Sequence, residues 1–212
     1  MLSRFGAIAV AAALGLSPSL AFAQSSTDAG SFWVRGRILS VMPDEGGTIT
    51  PIGGKPDAEN TVVPEVDFTY FVSDRIALEL IAAVTEHDVV ATGTTLGTVD
   101  LGEATLLPPT LTLQYHADLD SRVSPYVGVG VNYTHFFDAD PSGRVVTAIS
   151  YGDSFGPALQ AGLNIALRDN WFVNLDLKKV WINTDVKING GAVTADVDLD
   201  PWIAGIGIGY KF

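Results

Sequence analysis

Cysteine is absent from the 212 residues of this chain. That excludes disulfides, thiolate metal sites and a lipid anchor attached through an N-terminal Cys. Charge is scarce: 17% of residues are Asp, Glu, Lys or Arg, against about 25% in a typical soluble domain. Bases are the scarcer sign, 12 against 24 acids, which argues against a nucleic-acid partner. Three histidines occur, His87, His116 and His135, without His-x-x-x-His spacing or a companion carboxylate cluster. No metal site and no cofactor are expected from them. Long apolar runs are also missing. Gly6–Leu16 falls short of the roughly 18–20 residues a helix needs to cross a bilayer. Any entry into a membrane must be made by strands.

That short run reads instead as an export signal. Arg4 is a basic start, Ser17 and Pro18 break the apolar stretch, and Ala21-Phe22-Ala23 fits a small-x-small cleavage site. Cleavage between Ala23 and Gln24 divides the chain into a signal peptide, 1–23, and one domain, 24–212. The 22 glycines are evenly scattered, which suits many strands and turns rather than a linker.

The segment Pro201–Phe212 shows the pattern on which the domain is built. Trp202, Ala204, Ile206, Ile208, Tyr210 and Phe212 fall on one face of a strand, and Ile203, Gly205, Gly207, Gly209 and Lys211 on the other. One face is greasy and tipped with aromatics; the other is nearly bare and suits a crowded barrel interior. Seven earlier stretches alternate in the same way: 31–41, 64–72, 76–85, 107–117, 125–137, 154–167 and 171–182. Their apolar faces carry residues such as Phe68, Leu80, Leu113, Val129, Leu163 and Leu175. The opposite faces assign a lumen-lining set: Trp33, Arg35, Arg37, Glu65, Asp67, Glu79, Thr110, Thr112, Gln114, His116, Asn132, Thr134, Gln160, Asn164, Asn174, Asp176 and Lys178. An arginine facing lipid near the midplane costs about 2–4 kcal/mol, so Arg35 and Arg37 belong inside. The alternation is lost near Lys179, at a bulge or at the membrane edge.

The links 43–63, 86–105, 138–153 and 183–197 are long, whereas 73–75, 118–121 and 168–170 are short. An even number of strands with long loops at one end and short turns at the other is the pattern of an eight-stranded antiparallel transmembrane β-barrel. Lipid offers no partner for a bare strand edge, so the ring must close. Aromatics sort into two belts. Tyr70, Tyr115, Tyr126, Trp171, Tyr210 and Phe212 mark the short-turn end; Tyr133, Phe137, Phe155, Trp181 and Trp202 mark the long-loop end. Soluble barrels of this size reverse the pattern, apolar inside and charged outside.

The chain resembles the OmpW family of small outer-membrane proteins. The likeness runs through V-R-G-R at Val34–Arg37, F-T-Y-F-V-S-D at Phe68–Asp74 and I-A-L-E-L at Ile76–Leu80. It continues through L-P-P-T at Leu107–Thr110, Q-Y-H at Gln114–His116, P-Y-V-G-V-G-V-N-Y-T at Pro125–Thr134, L-D-P-W at Leu199–Trp202 and the terminal G-Y-K-F. Asn164 departs from it, standing where an acid is expected. The resemblance implies a Gram-negative outer-membrane barrel with a narrow, rather hydrophobic passage for small molecules. Long loops would be extracellular, both termini periplasmic, and the barrel a monomer among outer-membrane lipids. The strand ending in Tyr210 and Phe212 resembles the signal by which barrel-assembly machinery recognises such proteins.

Two functions are expected from these features. One is passage of small, mainly hydrophobic solutes. The other is a structural or interaction barrel with a closed lumen whose acidic loops contact envelope lipids, phage or host. The long links, with Asp198 and Asp200 just after the last of them, carry 15 acids, including Glu86, Asp88, Glu103 and Asp140, against the bases Lys55, Arg144 and Lys187. The inward charges read as an ion-pair network filling a narrow lumen, in preference to a gate, since buried charges must be paired. Catalysis is not expected: Ser150, Ser154 and His135 are the only conceivable nucleophile–base group.

Overall fold

The computed structural model describes residues 29–117, 122–143 and 145–212. The expected signal peptide with its Ala23–Gln24 cleavage point, the 118–121 turn and Arg144 lie outside them. The strands in chain order are β1 (Phe32–Met42), β2 (Gly46–Thr50), β3 (Lys55–Ala58), β4 (Thr61–Phe71), β5 (Ile76–Ala83), β6 (Thr85–Thr94), β7 (Gly97–Leu107) and β8 (Thr110–His116). They continue with β9 (Val123–Pro141), β10 (Ile149–Tyr151), β11 (Ser154–Ala166), β12 (Trp171–Val180), β13 (Asn183–Ile188), β14 (Val193–Asp198) and β15 (Trp202–Lys211).

Eight of these form a closed antiparallel ring in the order β11-β12-β15-β1-β4-β5-β8-β9, and β9 pairs β11 to complete it. The terminal strand is locked on both sides. Val34 lies opposite Tyr210 and Met42 opposite Trp202 on one side, and Trp171 opposite Tyr210 on the other. Among the described residues each of the eight ring strands pairs with a ring neighbour on both sides, as a lipid-facing sheet requires. Ile38, Phe68, Leu80, Leu113, Val129, Leu177 and Ile206 are exposed on the outer wall, while the residues between them are buried inside.

The long links are themselves strands. The sheet of β5 and β8 continues into the β6–β7 hairpin, which pairs with the far half of β9, and β3 pairs β6. A second sheet, β10-β13-β14-β2, covers the other side. Together they raise the barrel into a cap at the long-loop end. Here the alternation is inverted. Thr184, Val186 and Ile188 of β13 point in, while Asn183, Asp185 and Lys187 point out. Ile49, Leu101, Val186, Ile188 and Val197 pack into one apolar core, each buried side chain contributing about 1.5–3 kcal/mol.

One expectation is corrected, and one of two alternatives is excluded. Tyr126 is not in an aromatic belt; it is buried in the lumen. It lies opposite Gly162 on β11, and a Cβ at Gly162 would collide with its ring, so the glycine makes the space that the tyrosine fills. No bulge occurs at Lys179, because β11 and β12 keep register through Leu159↔Lys179 and Ala158↔Val180. Lys179 stands at the rim, donating to Asp44 Oδ2 at 3.2 Å and the Asp200 carbonyl at 2.6 Å, 5.2 Å from the Trp202 ring. Its long stem lets it sit outside with the ammonium turned to polar partners.

Candidate functional site

The lumen is filled in layers along the barrel axis. At the short-turn end Trp33, Phe71, Ala77 and Phe172 form an aromatic plug, with Trp33 and Phe71 rings 4.5 Å apart. His116 packs on Phe71 and stacks on Tyr126. The bare face of β15 is what admits this layer and the next. A Cβ at Gly209 would sit 2.7 Å from Arg35 Cγ and against the Phe172 ring; one at Gly207 would sit 2.6 Å from Arg37 Cγ.

The middle layer is ionic. Arg35 donates to Asp67 Oδ1 and Thr69 Oγ1, both at 2.6 Å, and to Glu79. Arg37 meets Glu65 at 2.6 Å, Asp67 and Glu79 at 2.7 Å and Asp176 at 3.3 Å. Lys178 closes the layer on Glu65 at 2.8 Å and Asp176 at 3.2 Å. Neutral groups tie the carboxylates to the far wall. Gln114 and Thr112 donate to Glu79 Oε2 at 2.8 and 3.0 Å, while Gln160 and Tyr126 donate to Asp176 Oδ2 at 2.8 and 2.5 Å. Asn174 donates to Asn164 Oδ1 at 2.9 Å, so Asn164 is held by an amide rather than a cation. Desolvating this many ions is tolerable only because nearly all are multiply paired.

Above the ions the wall turns apolar. Leu39, Val41 and Val63 cluster with Ile203, and Ala158, Val180 and Ile182 pack beside them. They open into a funnel under the cap that encloses about 90 Å³ and has Glu65, Lys178, Thr110 and Asn132 at its floor. A water occupies roughly 10–15 Å³ on this measure, so the funnel has room for a small organic molecule. The barrel wall is interrupted beside it. Pairing of β4 with β5 stops at Glu65↔Ala83, and pairing of β3 with β6 begins at Ala58↔Val89. Among the described residues no ladder joins 59–64 to 84–88. On the other edge of the same strand, pairing lapses between Ile81↔Thr110 and Thr85↔Leu106, where Pro108 and Pro109 supply no donors. Ala58, Ala83, Thr85, His87 and Pro108 line both the funnel and these breaks.

The structure gathers Arg35, Arg37, Glu65, Asp67, Glu79, Thr112, Gln114, Gln160, Asn164, Asn174, Asp176 and Lys178 into the ionic layer and its bracing. Trp33 and His116 belong to the aromatic plug, Thr110 and Asn132 line the funnel, and Thr134 is buried beside them, donating to Asn132. Phe71, Phe172, Tyr126 and Thr69 were missed by sequence reasoning, although each sits in the inward phase of its strand. Tyr210 and Phe212 lie outside, their rings 4.8 Å apart, and the Phe212 amide donates to the Phe32 carbonyl at 2.8 Å. The histidines are dispersed. His116 is in the lumen, His87 lines the funnel, and His135 faces outward against Asp153 at 2.7 Å. Ser154 faces inward and accepts from the Asn183 amide at 3.0 Å, on the opposite side of the wall from His135. In the cap, burial holds His87 below the ordinary imidazole range and pushes the Tyr151 phenol up to about 12.

The OmpW family model matches residues 28–212. The chain belongs to the OmpW family. It is 37% identical over 210 residues to outer membrane protein W of Salmonella typhi, covering 95% of this chain and 97% of that protein. The crystal structure of the outer-membrane protein OprG from Pseudomonas aeruginosa superposes with a TM-score of 0.82 at 34% identity, over 88% of this chain and 98% of that one. The outer-membrane protein AlkL, solved by solid-state NMR in DMPC lipid bilayers, superposes with a TM-score of 0.67 at 26% identity, over 93% and 97%. This OmpW-family barrel is therefore an outer-membrane protein, and its apolar outer wall meets lipid.

Proposed function

We propose that this barrel gives small, mainly hydrophobic molecules passage across the outer membrane. The long-loop end is taken as extracellular and both termini as periplasmic. The observation that carries the reading is an apolar funnel that ends on a sealed ionic floor. An apolar solute driven down the axis would have to part Arg37, Glu65 and Lys178, leaving buried charges unpaired. Moving sideways keeps it in apolar surroundings, past Ala83, Thr85 and His87 into lipid. Passage of this kind is diffusion, with no covalent step and no cofactor. The monomer suffices, and the β15 strand with Tyr210 and Phe212 would engage the assembly machinery.

Uptake of an apolar fluorescent probe into proteoliposomes tests it. Wild-type protein should accelerate entry, and Ala83→Trp, which fills the funnel at the break, should return entry to the protein-free rate while the barrel stays folded. The sealed plug favours a second reading, a closed barrel whose cap contacts envelope lipids, phage or host. Asp88 faces Glu103 and Glu103 faces Asp140 across the cap's outer face, an acidic surface in which neighbouring acids raise the Glu103 carboxyl. Wild-type uptake no faster than in protein-free liposomes would decide for that reading.

A further inference from the structure

The funnel is not purely a hydrocarbon site. Two hydroxyls buried in its lining, Thr85 Oγ1 and Tyr151 Oη, have no hydrogen-bond partner among the described residues. Thr85 is 5% exposed. The other polar groups near the floor are satisfied: Asn132 donates to Thr110 Oγ1 at 2.9 Å, Thr134 to Asn132 Oδ1 at 2.7 Å, and Lys178 to Glu65. The two free hydroxyls are placed by the fold. Thr85 lies opposite Leu106, Leu106 opposite Phe136, and the Phe136 ring stacks on Tyr151 at 5.1 Å. They flank one apolar shelf: two strand spacings, about 10 Å, separate Thr85 from Phe136, and Tyr151 lies beyond the Phe136 ring, so a small molecule meets one hydroxyl or the other.

A buried hydroxyl without a partner is unfavourable, and a valine or phenylalanine would fill the same space without that cost. A pocket that accepted only alkanes would have no use for either group. A pocket that keeps a few placed hydrogen-bonding groups on apolar walls selects molecules that satisfy them.

We propose that the funnel binds an apolar molecule carrying a hydroxyl or carbonyl oxygen, whose polar end is held by Thr85 Oγ1 or Tyr151 Oη while its hydrocarbon body lies on Leu106 and Phe136. This deepens the passage reading and rests on it. Thr85 is also at the wall break, so the hydrogen bond is made beside the exit, and the oxygenated molecule is the one the exit retains and orients.

The test compares 1-octanol with n-octane on the full barrel in lipid nanodiscs. Displacement of a solvatochromic probe reports affinity, and each ligand's wild-type-to-variant ratio cancels its partition into lipid. Thr85→Val and Tyr151→Phe keep the shape and remove the hydroxyl. The variant that removes the holding hydroxyl, or the double variant where the two serve in turn, should weaken octanol binding roughly three- to tenfold, the worth of one hydrogen bond, and leave octane unchanged. Thr85→Ser, which restores the donor, should recover the octanol affinity. Equal loss for both ligands, or unchanged octanol affinity in the double variant, overturns the inference while wild-type uptake of octane leaves the passage reading standing. If wild-type protein binds and transports neither, the passage reading falls and this inference with it.

Discussion

Glu79 is the residue on which the ionic layer turns. One carboxylate accepts from both arginines and also from Thr112 and Gln114, joining β1 to β5 and β8 across the lumen. Replacing it with Gln keeps the volume and removes the charge. Arg35 would retain Asp67, and Arg37 would retain Glu65, Asp67 and Asp176, but both would lose one anionic partner in a fully buried layer. Breaking a buried pair from one side costs about 3–5 kcal/mol, so Glu79→Gln should lower unfolding stability in detergent micelles by that amount, read from guanidinium titrations followed by tryptophan fluorescence. A change below about 1 kcal/mol, the scale of exposed ion pairs, would mean that the layer is hydrated and does not seal the lumen. At this scale the sequence was readable wherever the choice was binary, inward or outward, because a charge on the lipid face is so costly. It was not readable where side chains compete for the same space. Tyr126 has the look of a belt residue, yet Gly162 across the strand pair receives it, a contact between positions 36 residues apart in the chain that no local pattern carries.

The elements divide at the membrane edge. Ring strands were legible because apolar and polar residues alternate over the full span. The cap strands were hidden in apparent loops because their outer face meets water and their inner face meets a funnel. The alternation there runs in opposite phase on short strands such as β3, β10 and β14, and glycine breaks it repeatedly. The β3–β6 pair is the weak member. It spans only Lys55↔Thr92 to Ala58↔Val89, beside the break in the wall, and His87 reaches from β6 to the Glu59 carbonyl at 3.4 Å. Burial outweighs the Glu59 carbonyl and Asp88 in lowering the His87 pKa. The folded cap therefore binds fewer protons than the unfolded segment as pH falls through the free imidazole value near 6.5. Stability carried by neutral His87 is complete above that pH and declines below it. Amide exchange of β3 and β6 should quicken between pH 7.5 and 5.5, after correction for intrinsic rates, while the ring strands stay protected. His87→Gln should abolish the difference. Equal quickening in β3, β6 and the ring would assign the effect to the whole barrel instead.

As a whole molecule the described chain is a barrel below and a two-sheet cap above, with their alternation reversed at the junction. The lower one turns hydrocarbon outward because lipid surrounds it, and ions inward because its walls are close enough to pair them. The upper one turns acids outward because water surrounds it, and hydrocarbon inward around the funnel. Exposure alone cannot separate the two environments: Val129 is 58% and Ile206 57% exposed on the ring, while Leu96 is 64% and Val145 60% exposed on the cap. The solvent must differ. The chain carries no cysteine of its own, so single cysteines at these four positions can each take a nitroxide without background. In bilayers, labels at Val129 and Ile206 should relax with molecular oxygen and be sheltered from a water-borne nickel chelate; labels at Leu96 and Val145 should do the reverse. Depth fixes where the reversal falls, between Tyr133 and Phe137 on β9, where the outward aromatics end and the β7 pairing begins. If Val129 and Ile206 instead met the chelate, the oily wall would be facing water. The ionic layer, the funnel over it and the sideways exit would then all need a different explanation.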